Sequence, residues 1–189
     1  MIDDETLTET NSSTFSDKNV GTDKTVTVDS ITLGNGDNGG LATNYSIATG
    51  NTTTADITAK ALTIGGITAS NKTYDGNTTA TISVASATFT GLVEGDSVTV
   101  SATGVFDNKN VGTGKTVTLT ETNAGDDVNN YSITAQGTTT ANVTAKALTV
   151  NAELTSATKE YDGTTTAAVT SSGLVGLVGD EDVTATGGG

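Results

Sequence analysis

Residues 61–146 form one complete copy of a unit that reappears truncated on both sides, and this internal repetition constrains the fold more than any other feature. Downstream, Ala147-Leu148-Thr149-Val150 restarts what Ala61-Leu62-Thr63-Ile64 begins. Upstream, Phe15-Ser16-Asp17-Lys18-Asn19-Val20-Gly21-Thr22 matches Phe106-Asp107-Asn108-Lys109-Asn110-Val111-Gly112-Thr113. In the same way Asn44-Tyr45-Ser46-Ile47 matches Asn130-Tyr131-Ser132-Ile133, and Ile57-Thr58-Ala59-Lys60 matches Val143-Thr144-Ala145-Lys146. The period is 146 − 60 = 86 residues. Solenoid repeats run to roughly 20 to 50 residues, so this period fits a string of small domains. The chain then divides into 1–60, the C-terminal part of one repeat, 61–146, a complete repeat, and 147–189, the N-terminal part of a further one.

Within the repeat, apolar and small polar residues alternate at period two. This pattern runs through Ile82-Ser83-Val84 leading to Phe89, Val98-Thr99-Val100, Val117-Thr118-Leu119, Tyr131-Ser132-Ile133 and Val143-Thr144-Ala145. Alternation with β-branched residues is the mark of a half-buried strand. The segments between them, Asp75-Gly76-Asn77, Glu94-Gly95-Asp96, Gly112-Thr113-Gly114 and Asn123-Ala124-Gly125-Asp126-Asp127, carry turn chemistry. No stretch has a helical stripe. The expected class is all-β: tandem antiparallel, β-sandwich-like repeat domains of about 86 residues forming an elongated rod.

Two details refine this expectation. Asp29 to Thr43 holds 15 residues where Thr120 to Asn129 holds 10, so the first copy carries 15 − 10 = 5 extra residues around Gly34 to Gly40, in an exposed hairpin loop. At the junction Ile57 to Ile64 the apolar residues move from odd to even positions. One extended strand there would change its buried face through a bulge or twist, with no flexible linker, which predicts a stiff connection.

Charge and missing residue types exclude several functions. The formal charge is −14, with eight Lys and no Arg, and such an acidic chain repels phosphate backbones; no nucleic-acid partner is expected. His and Cys are absent, which removes Ser-His-Asp and Cys-His catalysis, disulfides and nitrogen or sulfur zinc sites. No apolar run approaches the ~18 to 20 residues of a membrane helix, and Met1 to Glu5 lacks the character of a signal peptide. Membrane insertion is therefore not expected in this segment, and an export signal would lie outside it. Low hydrophobicity with high charge is also the composition of disordered chains, yet the preserved spacing and alternation argue for folded domains.

Five motifs recur in a fixed order. They are Lys72-Thr73-Tyr74-Asp75-Gly76 and its copy Lys159-Glu160-Tyr161-Asp162-Gly163, Gly91-Leu92-Val93-Glu94-Gly95-Asp96, Phe106 to Thr113, Asn130 to Ile133, and Thr144-Ala145-Lys146-Ala147-Leu148-Thr149. Together they resemble the YDG repeats of very large bacterial surface proteins, among them filamentous-haemagglutinin-like adhesins exported by two-partner secretion. The resemblance covers nearly the whole chain. It implies an extracellular, all-β stalk module at the bacterial cell surface, whose partners are neighbouring repeats of the same protein. It departs from the pattern at Asp23, in the extended 29–43 loop and in the shortened Thr164 to Gly176 segment.

Candidate chemistry is sparse, and no enzymatic activity is expected. Gly112-Thr113-Gly114-Lys115-Thr116 superficially suggests a phosphate loop, but Lys109 stands where such a loop needs Gly and a strand follows instead of a helix. The adjacent acids Asp126-Asp127 and Asp180-Glu181-Asp182 read as solvated loop charge rather than a glycosidase pair. Asp126, Asp127 and Asn129 are the best oxygen cluster for Ca2+, the one cofactor to weigh. The rings of Tyr45, Tyr74, Tyr131 and Tyr161 are expected to anchor small cores while their hydroxyls find backbone partners; a sugar-stacking platform is the functional alternative. Asp75 and Asp162, each followed by Gly76 or Gly163, should bond their own turns. Lys72 and Lys159 either form structural ion pairs or crosslink to a nearby Asn or Asp. Three functions follow: a structural stalk; a filament subunit in which identical chains complete the split repeat head to tail; and a glycan- or calcium-binding module.

Overall fold

A computed structural model describes residues 4–150, 154–156, 158–167, 169–171 and 173–183. The chain begins with β1 (Leu7–Phe15), β2 (Gly21–Asn35), β3 (Thr52–Ile57) and β4 (Lys60–Gly65). Short strands follow as β5 (Thr68–Ala69), β6 (Lys72–Thr73), β7 (Thr79–Ala80), β8 (Ile82–Ser83) and β9 (Thr88–Thr90). Next come the long pair β10 (Thr99–Phe106) and β11 (Gly112–Ala124), then β12 (Tyr131–Thr134) and β13 (Thr138–Thr144). The last are β14 (Thr149–Val150), β15 (Leu154–Ser156), β16 (Val169–Ser171) and β17 (Leu174–Val175). Single 3-10 turns at Ala42–Asn44 and Val128–Asn130 occupy equivalent places in successive copies. The fold is all-β, and every segment that alternates in the sequence lies on or against a strand.

Two compact units emerge, and neither coincides with a repeat. One comprises residues 1–63, 89–99 and 123–134; the other comprises 64–88, 100–122 and 135–189. In the first, β1, β2 and β3 form an antiparallel sheet with a register shift between Ser12 and Ser13. A second three-stranded sheet has the order β12-β4-β9. Here β12 lies parallel to β4, with Tyr131 opposite Lys60 and Ile133 opposite Leu62. Leu62, Val98 and Tyr131 form a buried cluster, and Phe89, Leu92, Val128 and Ile133 pack around it.

The other unit is built on a five-stranded sheet of order β6-β13-β11-β10-β7, accompanied by the pairs β5-β8, β14-β17 and β15-β16. Val117 and Leu119 on β11, with Ala141 and Val143 on β13, turn alternate side chains inward and meet Ile64, Ile67, Ala80 and Phe106 among the buried residues. Here β6 runs parallel to β13, with Val143 opposite Lys72.

The sheets are therefore mixed and not purely antiparallel as alternation suggested. Parallel neighbours need a long crossover, and both parallel pairs join segments far apart in one repeat. The face change at the junction is made by a break and not by a bulged continuous strand: β3 stops at Ile57, Thr58 and Ala59 belong to no strand, and β4 starts at Lys60. The five extra residues of the first copy lead from β2 into a 3-10 turn and so do not form a hairpin tip.

Candidate functional site

The Lys-x-Tyr-Asp-Gly segment builds a tight loop around its lysine. Lys72 Nζ lies 2.7 Å from Asp75 Oδ1, donates to the carbonyls of Asn77 (3.0 Å) and Thr79 (3.1 Å), and sits 5.6 Å from the Phe106 ring centroid. Asp75 Oδ1 in turn accepts from the Asn77 amide at 3.1 Å, as expected for an aspartate ahead of glycine in a turn. In the third copy Lys159 repeats the arrangement with Asp162 (2.8 Å) and the Thr164 carbonyl (2.9 Å), and Asp162 accepts from the Thr164 amide. Both aspartates are held below the usual carboxylate range, first by their lysine.

The geometry favours the structural ion pair over the crosslink. Lys72 also donates to Asn77 Oδ1 at 2.9 Å, but the residue in that place in the third copy is Thr164, whose hydroxyl offers no carbonyl for amide formation. The intact mass of the purified chain is expected to show no loss of ammonia; a deficit of one ammonia would demonstrate a Lys72–Asn77 bond.

A second lysine pair organises the Phe-x-x-Lys-Asn-Val turn. Lys24 pairs with Asp17, which accepts from the Asn19 amide at 2.8 Å. Lys115 correspondingly lies 2.7 Å from both Asp107 Oδ1 and Asn108 Oδ1, and Asn108 accepts from the Asn110 amide. These two clamps hold the turns that carry Lys18 and Lys109.

Lys18 reaches out of its own copy. Its ammonium donates to Asp96 Oδ1 (3.0 Å) and Asp127 Oδ1 (2.9 Å), which belong to the next copy. Tyr131 completes the group by donating to Asp96 Oδ2 at 2.7 Å while accepting from the Val93 amide at 3.0 Å. Asp127 Oδ2 accepts from the Ser97 amide, and Asn130 Oδ1 accepts from the Val20 amide at 3.0 Å. A cavity of about 240 Å3 opens beside this cluster, lined by Lys18, Val20, Lys60, Val93, Asp96 and Tyr131.

The second unit contains the equivalent arrangement one copy later. Lys109, 91 residues after Lys18, donates to Glu181 Oε1 at 2.8 Å, and Glu181 stands 85 residues after Asp96. Here the second donor is Tyr74, whose hydroxyl bonds Glu181 and whose ring lies 5.7 Å from the Lys109 ammonium. A cavity of about 220 Å3 again adjoins the group, lined by Tyr74, Val111, Lys146, Leu148, Val178 and Glu181 among others. Gly76 is packed against this site: a Cβ there would lie 2.7 Å from Val178 Cγ1, and the residue adopts φ +78°.

These contacts set the charge states. Asp96 is held below its usual 3.8 first by the Tyr131 hydroxyl and then by Lys18; Asp127 is lowered first by the Ser97 amide and then by Lys18. Lys18 is pushed up to about 12 by Asp127 and Asp96. Tyr131 is raised, mainly by burial. Glu181 is lowered by Lys109 and then Tyr74, and Lys109 is raised by the same contacts.

A depressed carboxylate stabilises the fold above its unfolded pKa and loses that contribution as pH falls through the folded value; a raised lysine contributes below its unfolded pKa and loses it as pH rises through the folded one. The Lys18 cluster therefore stabilises between the unfolded values of 3.8 and 10.5. The expected result is that Lys18→Met lowers the denaturation midpoint at neutral pH and that the gap to wild type closes below about pH 4. Comparing variant with wild type cancels the global effect of the −14 charge.

The tyrosines take different places from the common one foreseen. Tyr131 is core, at 8% exposure, as expected. Tyr161 is 98% exposed, so it anchors no core in this chain. Tyr74 is half-buried and gives its hydroxyl to a carboxylate, and Tyr45 donates to Glu5 Oε2 at 2.6 Å, as Tyr131 does to Asp96. Sequence reasoning missed Lys18, Asp96, Lys109 and Glu181. Their signal was present in the recurrence of Lys18 as Lys109 and in an acid at Glu5, Asp96 and Glu181.

Of the calcium candidates, Asp126 and Asn129 are exposed, while both carboxylate oxygens of Asp127 are engaged. Among the described residues no group of three or more His, Cys, Asp or Glu is placed to hold a metal. The phosphate-loop-like stretch Gly112 to Thr116 lies within β11. The YDG domain family matches residues 1–55, 58–141 and 144–189. Neither a curated protein nor a solved structure matches the chain.

Proposed function

Because the chain belongs to the YDG domain family over almost its entire length, we propose that it is a non-catalytic structural repeat: a spacer within the stalk of an extracellular bacterial surface protein, in the manner of filamentous-haemagglutinin-like adhesins. The observation that carries this reading is the disposition of the lysines. Lys24, Lys72, Lys115 and Lys159 brace loops within a copy, and Lys18 and Lys109 each tie one copy to the carboxylate of the next. Polar chemistry is thus committed to holding repeats and joining them, as a load-transmitting spacer requires. Individual exposed ion pairs contribute little, so a joint of this kind draws on several groups acting together.

The test is an in-frame deletion of residues 61–146 from the surface-displayed protein, with attachment measured against a control that retains the repeat. Attachment that persists after deletion is expected. Its loss, together with saturable binding of a glycan or of Ca2+ by the isolated chain, would place recognition within the repeat and overturn the spacer role.

A further inference from the structure

We propose that the cavity beside Asp96 is a docking socket for the exposed Tyr161 loop of a second copy of this chain. The second unit supplies the template. There a carboxylate, Glu181, is held jointly by the lysine and the Tyr-Asp-Gly tyrosine of the preceding copy, Lys109 and Tyr74. At Asp96 the lysine is present as Lys18, but the position one copy before Tyr74 falls ahead of residue 1. The group beside the cavity therefore has the carboxylate, its lysine and the equivalents of Val111, Lys146 and Val178, namely Val20, Lys60 and Val93, without the tyrosine.

Both halves of the joint bear the marks of an unfilled contact. Val178 covers Gly76 and is half-buried, whereas its equivalent Val93 is 43% exposed. Gly163, the equivalent of Gly76, would present a Cβ with nothing within 4 Å, and Tyr161 is 98% exposed where Tyr74 is half-buried. The occupant follows from the order of copies. A tyrosine serves the acid of the copy after its own, so Tyr161 of one chain requires the acid of a following repeat. A second copy whose residues 1–60 complete the repeat begun at residue 147 carries its Asp96 at that place.

Chemistry favours the fit. The socket offers an ammonium over which an aromatic ring can lie, as Lys109 lies over Tyr74, and a carboxylate to accept a phenolic hydrogen bond. A single such contact is weak, so the readout must register weak association.

The experiment is 19F NMR of the full chain labelled with 3-fluorotyrosine and carrying Val93→Glu, so that the labelled chain donates its loop while its own socket is blocked. Tyr161→Phe identifies the Tyr161 resonance. On addition of excess unlabelled wild type, that resonance is expected to shift and broaden, while excess unlabelled Val93→Glu leaves it in place. An unchanged Tyr131 resonance in a separately labelled wild-type and Val93→Glu pair verifies that the variant keeps its fold. A Tyr161 signal that responds equally to both partners, or to neither, overturns the proposal. The spacer role would survive such a result, since it is tested by deletion and attachment.

Discussion

Replacing Leu62 by alanine is expected to destabilise the chain by about 3 kcal/mol, whereas the same change at Leu148, its equivalent one repeat later, costs about 1 kcal/mol. The two leucines occupy the same Ala-Leu-Thr motif. Leu62 is 0% exposed because β4 lies between β9 and β12, and Tyr131 and Val98 close over it. Leu148 is 37% exposed; among the described strands, β14 beside it has β17 as its neighbour and no counterpart of β12. Truncating a buried leucine loses both its transfer free energy and the contacts around the resulting void, and so small a core has few neighbours to collapse into the space. Urea denaturation followed by tyrosine fluorescence measures both variants. Equal losses would mean that the two half-cores are packed alike.

The second large effect is expected at Gly91. This residue adopts φ +102°, and a Cβ built there would lie 2.5 Å from the Ala61 carbonyl oxygen. Gly91→Ala combines a backbone conformation that costs about 1 to 3 kcal/mol for an L-residue with a clash against rigid strand backbone, for a total of about 3 kcal/mol or more. Its equivalent Gly176 has a similar φ of +106°, but there the Ala147 oxygen is 3.5 Å from the built Cβ. Gly176→Ala should retain the conformational penalty alone. Hydrogen exchange of the Leu62 and Val98 amides provides the readout: strong loss of protection in Gly91→Ala and little change in Gly176→Ala.

Much of the fold was legible before any coordinates. Alternation located Val117 and Leu119 on β11 and Tyr131 and Ile133 on β12, since strand periodicity depends on immediate neighbours. Asp75-Gly76 and Asp162-Gly163 disclosed their turns for the same reason, and both glycines take positive φ. The parallel pairings of β4 with β12 and of β6 with β13 were not legible, because alternation specifies which face a residue takes and not which strand lies alongside. Nor did the sequence show that equivalent residues differ in burial. Among the described residues the buried apolar side chains all fall between Leu62 and Val143, so Phe15 and Val150 stay exposed although Phe106 and Ile64, at the same repeat positions, are buried.

The candidate site divides along the same line. The Lys72 and Lys159 clamps join residues within a few positions of one another, and the motif already contained their partners Asp75 and Asp162. The Lys109–Glu181 bond spans 72 residues and Tyr74–Glu181 spans 107, and no local pattern announces such a contact. By itself the sequence determined the 86-residue period, the strands, the turns and the exclusion of histidine- or cysteine-based chemistry, all of which depend on composition or on short-range order. Only the tertiary structure decided that the lysine and tyrosine of one copy hold the acid of the next. That choice depends on which turns are brought together in space, and packing rather than local propensity sets those distances.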